Sequence, residues 1–211
     1  MTARLARIGV IAIVAFALGL VLARAILPSQ PALPTTELAT VLPAPRALPG
    51  VSLVRHDGHA IDAADFKGHW TLVFFGFTHC PDICPTTLAL LAQTTRSLTD
   101  LPAPEQPRVL FVSLDPERDD ARQLAAYVTF FDRAFSGATG SAAQVAGAAA
   151  AFSVPYARVA LPDGGYTIDH GAGIFVVGPS GGIVAVASGA RDPAVLARDY
   201  RKIVDFVEQA R

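Results

Sequence analysis

From Val51 onward the apolar positions fall in blocks of different period, and the blocks alternate in type. The stretch Trp70 to Phe77 is almost continuously apolar, as expected of a strand buried on both faces and therefore central in a sheet. Pro85 to Leu98 reads as a helix, with proline in the first turn and Leu88, Leu91 and Leu98 near one face. Arg108 to Leu114 is a second buried strand. Asp115-Pro116 after it predicts an N-cap with proline at N1, opening a helix to about Phe131 with Glu117 and Arg118 as first-turn charges. Ala142 to Phe152 is an alanine-rich helix. Ile174 to Val177 and Gly182 to Val186 flank Gly178-Pro179-Ser180-Gly181, which predicts a β-hairpin. Asp192 to Ala210 closes the chain as an amphipathic helix. No internal repeat is visible.

Strand, helix, strand and helix, followed by a further helix, a hairpin and a terminal helix, give an α/β order. It is the order of a thioredoxin-like domain, with a central mixed sheet and flanking helices, over residues 48–211. Fold alone does not fix function, so the chemistry has to come from particular residues.

The N-terminal third has a different pattern. Ile8 to Ala23 runs without a charge, continues to Leu27 broken only by Arg24, and is preceded by Arg4 and Arg7. Residues 1–27 are therefore expected to be a single membrane-anchoring helix, or a signal peptide cut near Ala23-Arg24-Ala25. Either places the rest of the chain outside the cytoplasm, with a cell inner membrane anchor and a periplasmic domain as the expected arrangement. Residues 28–47 are rich in proline and alanine and read as an extended tether. Setting aside Arg4, Arg7 and Arg24 leaves 14 basic against 18 acidic residues, about −4 for the rest of the chain. A nucleic-acid partner is excluded on that balance, since such binding rests on neutralising phosphates.

The composition sharpens the chemistry. There are two cysteines, and the one methionine is Met1, so any soft-metal site must be built from thiolate and imidazole. The cysteines lie in Thr78-His79-Cys80-Pro81-Asp82-Ile83-Cys84-Pro85, between the central strand and the next helix. At the carboxyl edge of a parallel sheet such a loop faces the usual binding crevice, and a helix N-terminus favours thiolate, so both sulfurs are expected to be exposed and partly ionised. The i, i+4 spacing suits a disulfide or a shared metal ion. A structural disulfide is the plainer reading, although three intervening residues make a poor staple.

Five histidines could supply a further ligand. His56, His59 and His69 sit in polar or turn-like stretches and read as solvated surface residues. His79, beside Cys80, is better suited to tuning the thiol than to ligation. His170, in Asp169-His170-Gly171 before the hairpin, is open to a structural or a ligand role, with Asp169 as a possible orienting partner of its ring.

Phe74 to Pro85, Asp115-Pro116-Glu117-Arg118-Asp119 and Asp169-His170 together resemble the Sco/SenC proteins, which take part in the synthesis of cytochrome c oxidase. The resemblance covers about Leu48 to the C-terminus and the N-terminal anchor. It implies a thioredoxin-like fold and copper ligation by Cys80, Cys84 and His170. It also implies delivery of copper to the binuclear site of cytochrome c oxidase subunit II or a similar cuproprotein. The alternative it carries is a thiol-disulfide oxidoreductase in which Cys80 and Cys84 are the redox pair. Two sulfurs and one nitrogen suit Cu(I) and Cu(II) alike and leave an open position for transfer.

Overall fold

The computed structural model describes residues 9, 12–13, 15–20, 22, 32–162 and 164–209. The chain divides into two units, Met1–Ala32 and Leu33–Arg211. In the first, the described residues between 9 and 22 are helical and exposed. The expected anchor, residues 1–27, lies mostly outside the described residues, and among those described no helix is long and apolar enough to cross a membrane.

The second unit is built on an eight-stranded mixed sheet. Its strands are β1 (Ala39–Arg46), β2 (Ser52–Arg55), β3 (Ala60–Asp62), β4 (Thr71–Gly76), β5 (Arg108–Ser113), β6 (Ser136–Thr139), β9 (Ile174–Val177) and β10 (Ile183–Ala187), in the order β1-β10-β9-β4-β5-β6-β2-β3. β4, β5 and β6 run parallel, and β9 lies antiparallel to β4 on its other side. The all-buried β4 is thus interior to the sheet, as its unbroken apolar run requires. A separate two-stranded sheet, β7 (Tyr156–Ala160) with β8 (Tyr166–His170), joins the last parallel segment to β9.

Helices cover both faces. They are α1 (Ile83–Arg96), α2 (Ala121–Phe131), α3 (Ala142–Phe152) and α4 (Pro193–Gln209). Neighbouring residues of a strand point to opposite faces. Phe75 accordingly meets Phe152 of α3 at 5.1 Å between ring centroids, whereas Phe74 meets its parallel neighbour Phe111 at 6.1 Å. Phe111 in turn packs on Tyr127 of α2. Trp70, just before β4, stacks edge-on against Tyr200 of α4, and both are buried. The central strand, the α3 helix, the closing hairpin and the amphipathic α4 match the sequence pattern; α1 begins two residues earlier than expected, at Ile83.

Two expectations need correction. Residues 28–47 are not a tether throughout, because Ala39–Arg46 is an edge strand paired antiparallel with β10. Its start is fastened by Asp199 of α4, a fully buried carboxylate that accepts the backbone N–H groups of Glu37, Leu38 and Ala39 at 2.7–3.1 Å. The tether reading thus fails for residues 39–46; residues 32–38 carry no regular secondary structure, and residues 28–31 lie outside the described residues. Asp115 does not cap a helix either. α2 starts at Ala121, and its cap is Asp120, whose side chain accepts the Gln123 N–H at 2.7 Å. Asp115 is buried and engaged elsewhere, which removes Glu117 and Arg118 from any helical turn.

Candidate functional site

β4 delivers the chain to the sheet's carboxyl edge at Gly76, and residues 77–82 turn back into α1. Cys80 sits on this turn, with its N–H bonded to the Phe77 carbonyl at 3.2 Å. Cys84 is the second residue of α1, and its N–H points at the Cys80 Sγ at 3.4 Å. A thiol at the open end of a helix thus receives one of the four N–H groups that have no partner within the helix. Both cysteines are free thiols; Cys80 is half-buried and Cys84 fully buried.

The expectation of two exposed, partly ionised sulfurs fails for Cys84, which is fully buried. Burial pushes the Cys84 thiol far above the ordinary cysteine range, against the smaller opposing pull of a backbone hydrogen bond at Phe77. Loss of solvent outweighs the helix N-terminus, so in the metal-free protein Cys84 keeps its proton at neutral pH.

His170, 86 residues away, ends β8 with its Nε2 3.6 Å from the Cys84 Sγ. Its other ring nitrogen, Nδ1, lies 3.0 Å from the Gly171 carbonyl. A carbonyl only accepts, so Nδ1 carries the hydrogen and Nε2 turns its lone pair toward the sulfur. This is the tautomer a metal ligand needs, and a main-chain oxygen fixes it. Asp169, the other possible orienting group, is exposed on the opposite face of β8 and plays no part. Two aromatic rings hold the imidazole edge-on, Phe77 at 6.0 Å and Phe74 at 6.4 Å between centroids. The glycines beside it permit close packing: a Cβ on Gly173 would press on Val186 at 3.3 Å, and one on Gly171 would meet Pro155.

The structure therefore brings the three predicted residues together around Cys84. The 3.6 Å separation of Sγ and Nε2 is less than the sum of typical metal bonds to sulfur and nitrogen, about 2.3 and 2.0 Å, so one ion could touch both. Among the described residues no group of three or more His, Cys, Asp or Glu side chains is already arranged to hold a metal ion. Thiolates and imidazole suit soft and borderline metals; the pair of thiols also suits exchange with a disulfide.

The remaining histidines lie apart. His56 accepts the Gly137 N–H at 3.0 Å, which makes it a structural group between β2 and β6 and not merely a solvated one. His59 faces Asp65 at 3.8 Å. His69 precedes β4, at the end of that strand away from Cys80; burial first, then Arg108, depresses its pKa. His79 is exposed, with Nδ1 3.1 Å from the Thr78 Oγ1.

Sequence reasoning missed what supports the loop. Asp119, completely buried, accepts from the Thr78 N–H at 2.9 Å, the Thr78 hydroxyl at 2.6 Å and the Ser113 hydroxyl at 2.5 Å. It ties the end of β5 to the turn that carries Cys80. The signal available in sequence was a serine closing an apolar strand, with an acid six residues later.

Comparison with known proteins adds to this geometry. The profile of the SCO1/SenC family matches residues 45–205. The mitochondrial SCO2 homolog of Homo sapiens is 43% identical over 130 residues, 61% of this chain and 49% of the human protein. The match thus spans about half the length of that relative. Among solved structures, Arabidopsis thaliana ScoI with copper bound aligns with a TM-score of 0.68 and 32% identity, covering 75% of this chain and 96% of that one. Bradyrhizobium japonicum ScoI with copper bound aligns with a TM-score of 0.65 and 33% identity, over 72% and 96% of the two chains.

Proposed function

The chain belongs to the SCO1/SenC family, and from that premise we propose that it binds copper through Cys80, Cys84 and His170 and hands it to another protein. The recipient in this reading is the binuclear copper site of cytochrome c oxidase subunit II, or a similar cuproprotein. The observation that carries it is the 3.6 Å approach of the His170 Nε2 to the Cys84 Sγ, since dithiol chemistry alone has no use for an imidazole there. The copper bound in two solved relatives supports the choice of metal. Thiolates favour Cu(I), and the imidazole adds a donor that also suits Cu(II). Three ligands leave a position free for an incoming ligand of the recipient. Cys80, the less buried thiol, is the natural side for exchange. The basic start and apolar run of residues 1–27 support a single-pass anchor in the cell inner membrane with the domain in the periplasm.

Titration of the reduced chain with Cu(I), in competition with a chelator, tests the reading. One tight equivalent is expected, weakened by His170→Ala and abolished by Cys84→Ser. An affinity unchanged in His170→Ala would sink the three-ligand site.

A second reading, reduction of cysteines in the recipient, is favoured by the 3.4 Å contact of the Cys84 N–H with the Cys80 Sγ, which sets the less buried sulfur over the start of the helix that carries Cys84. In that chemistry Cys80 attacks a disulfide of the partner, Cys84 then attacks the mixed disulfide, and the partner leaves as a dithiol while this chain is oxidised to Cys80–Cys84. Reductase activity that survives His170→Ala would support it.

A further inference from the structure

We propose that Tyr166 and Arg118 are positioning residues for His170. With Asp115 and Arg158 they latch the β7–β8 hairpin to the loop after β5 and so set the distance between imidazole and Cys84. The inference rests on the copper reading above and names how its third ligand is held.

The hairpin has little packing of its own to fix it. Every residue of β7 is exposed, and in β8 only Ile168 is buried. A cavity of about 140 Å³ remains where it meets the loop, lined by Asp115, Glu117, Tyr156, Arg158, Tyr166 and Ile168 among others. Few buried apolar contacts mean little resistance to displacement. Yet His170 is useful only if it stays near 3.6 Å from Cys84, so other contacts must supply the placement.

Those contacts converge on Tyr166. Residues 166, 168 and 170 alternate onto one face of β8, which puts Tyr166 about 13 Å along the strand from His170 on the same side. Its ring is sandwiched between two guanidinium groups, with Arg118 Cζ 3.7 Å and Arg158 Cζ 3.5 Å from the centroid. Its hydroxyl donates to Asp115 at 2.8 Å, and its carbonyl accepts from Arg118 at 3.1 Å. Arg118 also pairs with the buried Asp115, and Arg158 with Glu117 at 2.9 Å. The loop thus grips both the main chain and the side chain of one residue of the hairpin. A second line of contact leads to the same imidazole: the Arg118 guanidinium lies 5.8 Å from the Phe77 centroid, and Phe77 packs edge-on against His170 at 6.0 Å. Residues around a metal ligand that fix its orientation typically change metal affinity 10- to 100-fold when lost.

The test uses the full chain and Cu(II) in competition with a chelator, with imidazole nitrogen coupling read by electron paramagnetic resonance. Tyr166→Leu is expected to lower Cu(II) affinity about tenfold and weaken the nitrogen coupling. The double variant Tyr166→Leu/His170→Ala should bind no more weakly than His170→Ala alone. In the metal-free chain, amide exchange in β8 should accelerate about tenfold while α1 is unchanged. Equal losses from Tyr166→Leu with and without His170, or unchanged affinity and exchange, would overturn the proposal. Affinity unaltered by His170→Ala overturns the copper reading itself, and the positioning role with it. Should Tyr166→Leu fail to fold, Tyr166→Phe removes the hydroxyl bond to Asp115 and Arg158→Leu removes the stacking on Tyr166 with the Glu117 pair, and losses of about two- to threefold from each are expected. No loss from either would equally overturn it.

Discussion

Gly76 faces the sulfur of Cys84 so closely that a Cβ at position 76 would stand 2.7 Å from Sγ and 2.8 Å from the Phe111 ring. The glycine ends the central strand where the first helix folds back over it, and the missing side chain is the space Cys84 occupies. Gly76→Ala should therefore overpack the site and cost about 1–3 kcal/mol. Urea unfolding of the metal-free chain measures this. Copper affinity should fall with it, because Cys84 is the residue displaced; unaltered affinity would show that the sulfur has room to move.

Asp119 is predicted to govern the order of the Cys80 turn. Asp119→Ala leaves the Thr78 N–H and the Thr78 and Ser113 hydroxyls without their acceptor, at a cost of about 2–4 kcal/mol. Asp119→Asn keeps an accepting oxygen and should lose less. Amide exchange at Thr78 and Cys80 should quicken in both variants, more in the alanine one.

Cys84 sets a pH dependence with a definite sign. Its folded-state pKa is raised by burial, so the native chain holds this proton more tightly than the unfolded chain does. Its contribution to stability is complete below the unfolded thiol pKa of about 8.5 and is lost as pH rises above it. Between pH 7 and pH 10 the wild type should accordingly lose more stability than Cys84→Ser. Metal binding must expel the same proton, so Cys84 by itself makes apparent Cu(I) affinity climb about tenfold per pH unit, and the climb continues past pH 8.5. A plateau there would contradict the buried neutral thiol. Alkylation at pH 8 should reach Cys80 well before Cys84.

Asp199→Ala should release the first strand. Three N–H groups, those of Glu37, Leu38 and Ala39, lose their shared acceptor, at about 2–3 kcal/mol. Limited proteolysis should then cut between residues 33 and 46 sooner than it does in the wild type. Asp199→Asn should be intermediate, since one amide oxygen still accepts.

The sequence by itself determined the elements whose signal is local. β4 is legible because six consecutive buried residues leave a nearly unbroken apolar run, α3 because of its alanine content and α4 because of its amphipathic period. The sequence likewise placed both sulfurs between the central strand and the next helix, although only Cys84 lies within that helix. The approach of His170 to Cys84 came from resemblance, not from the residues, because 86 positions separate them and only the antiparallel placement of β9 beside β4 brings the end of β8 over that helix. Asp115 was misread for the same reason. As a sequence, Asp-Pro after a strand is a helix start, but Arg118 and Tyr166 reach its carboxylate first, and a buried charge goes to the partners that neutralise it. Ala39–Arg46 looks like a tether since prolines and alanines carry no strand signal of their own, and its pairing comes from β10 and from Asp199. Local chemistry thus offered the two thiols and resemblance the imidazole; tertiary contacts decided the state of the Cys84 thiol, the tautomer of the imidazole and the contacts that hold it.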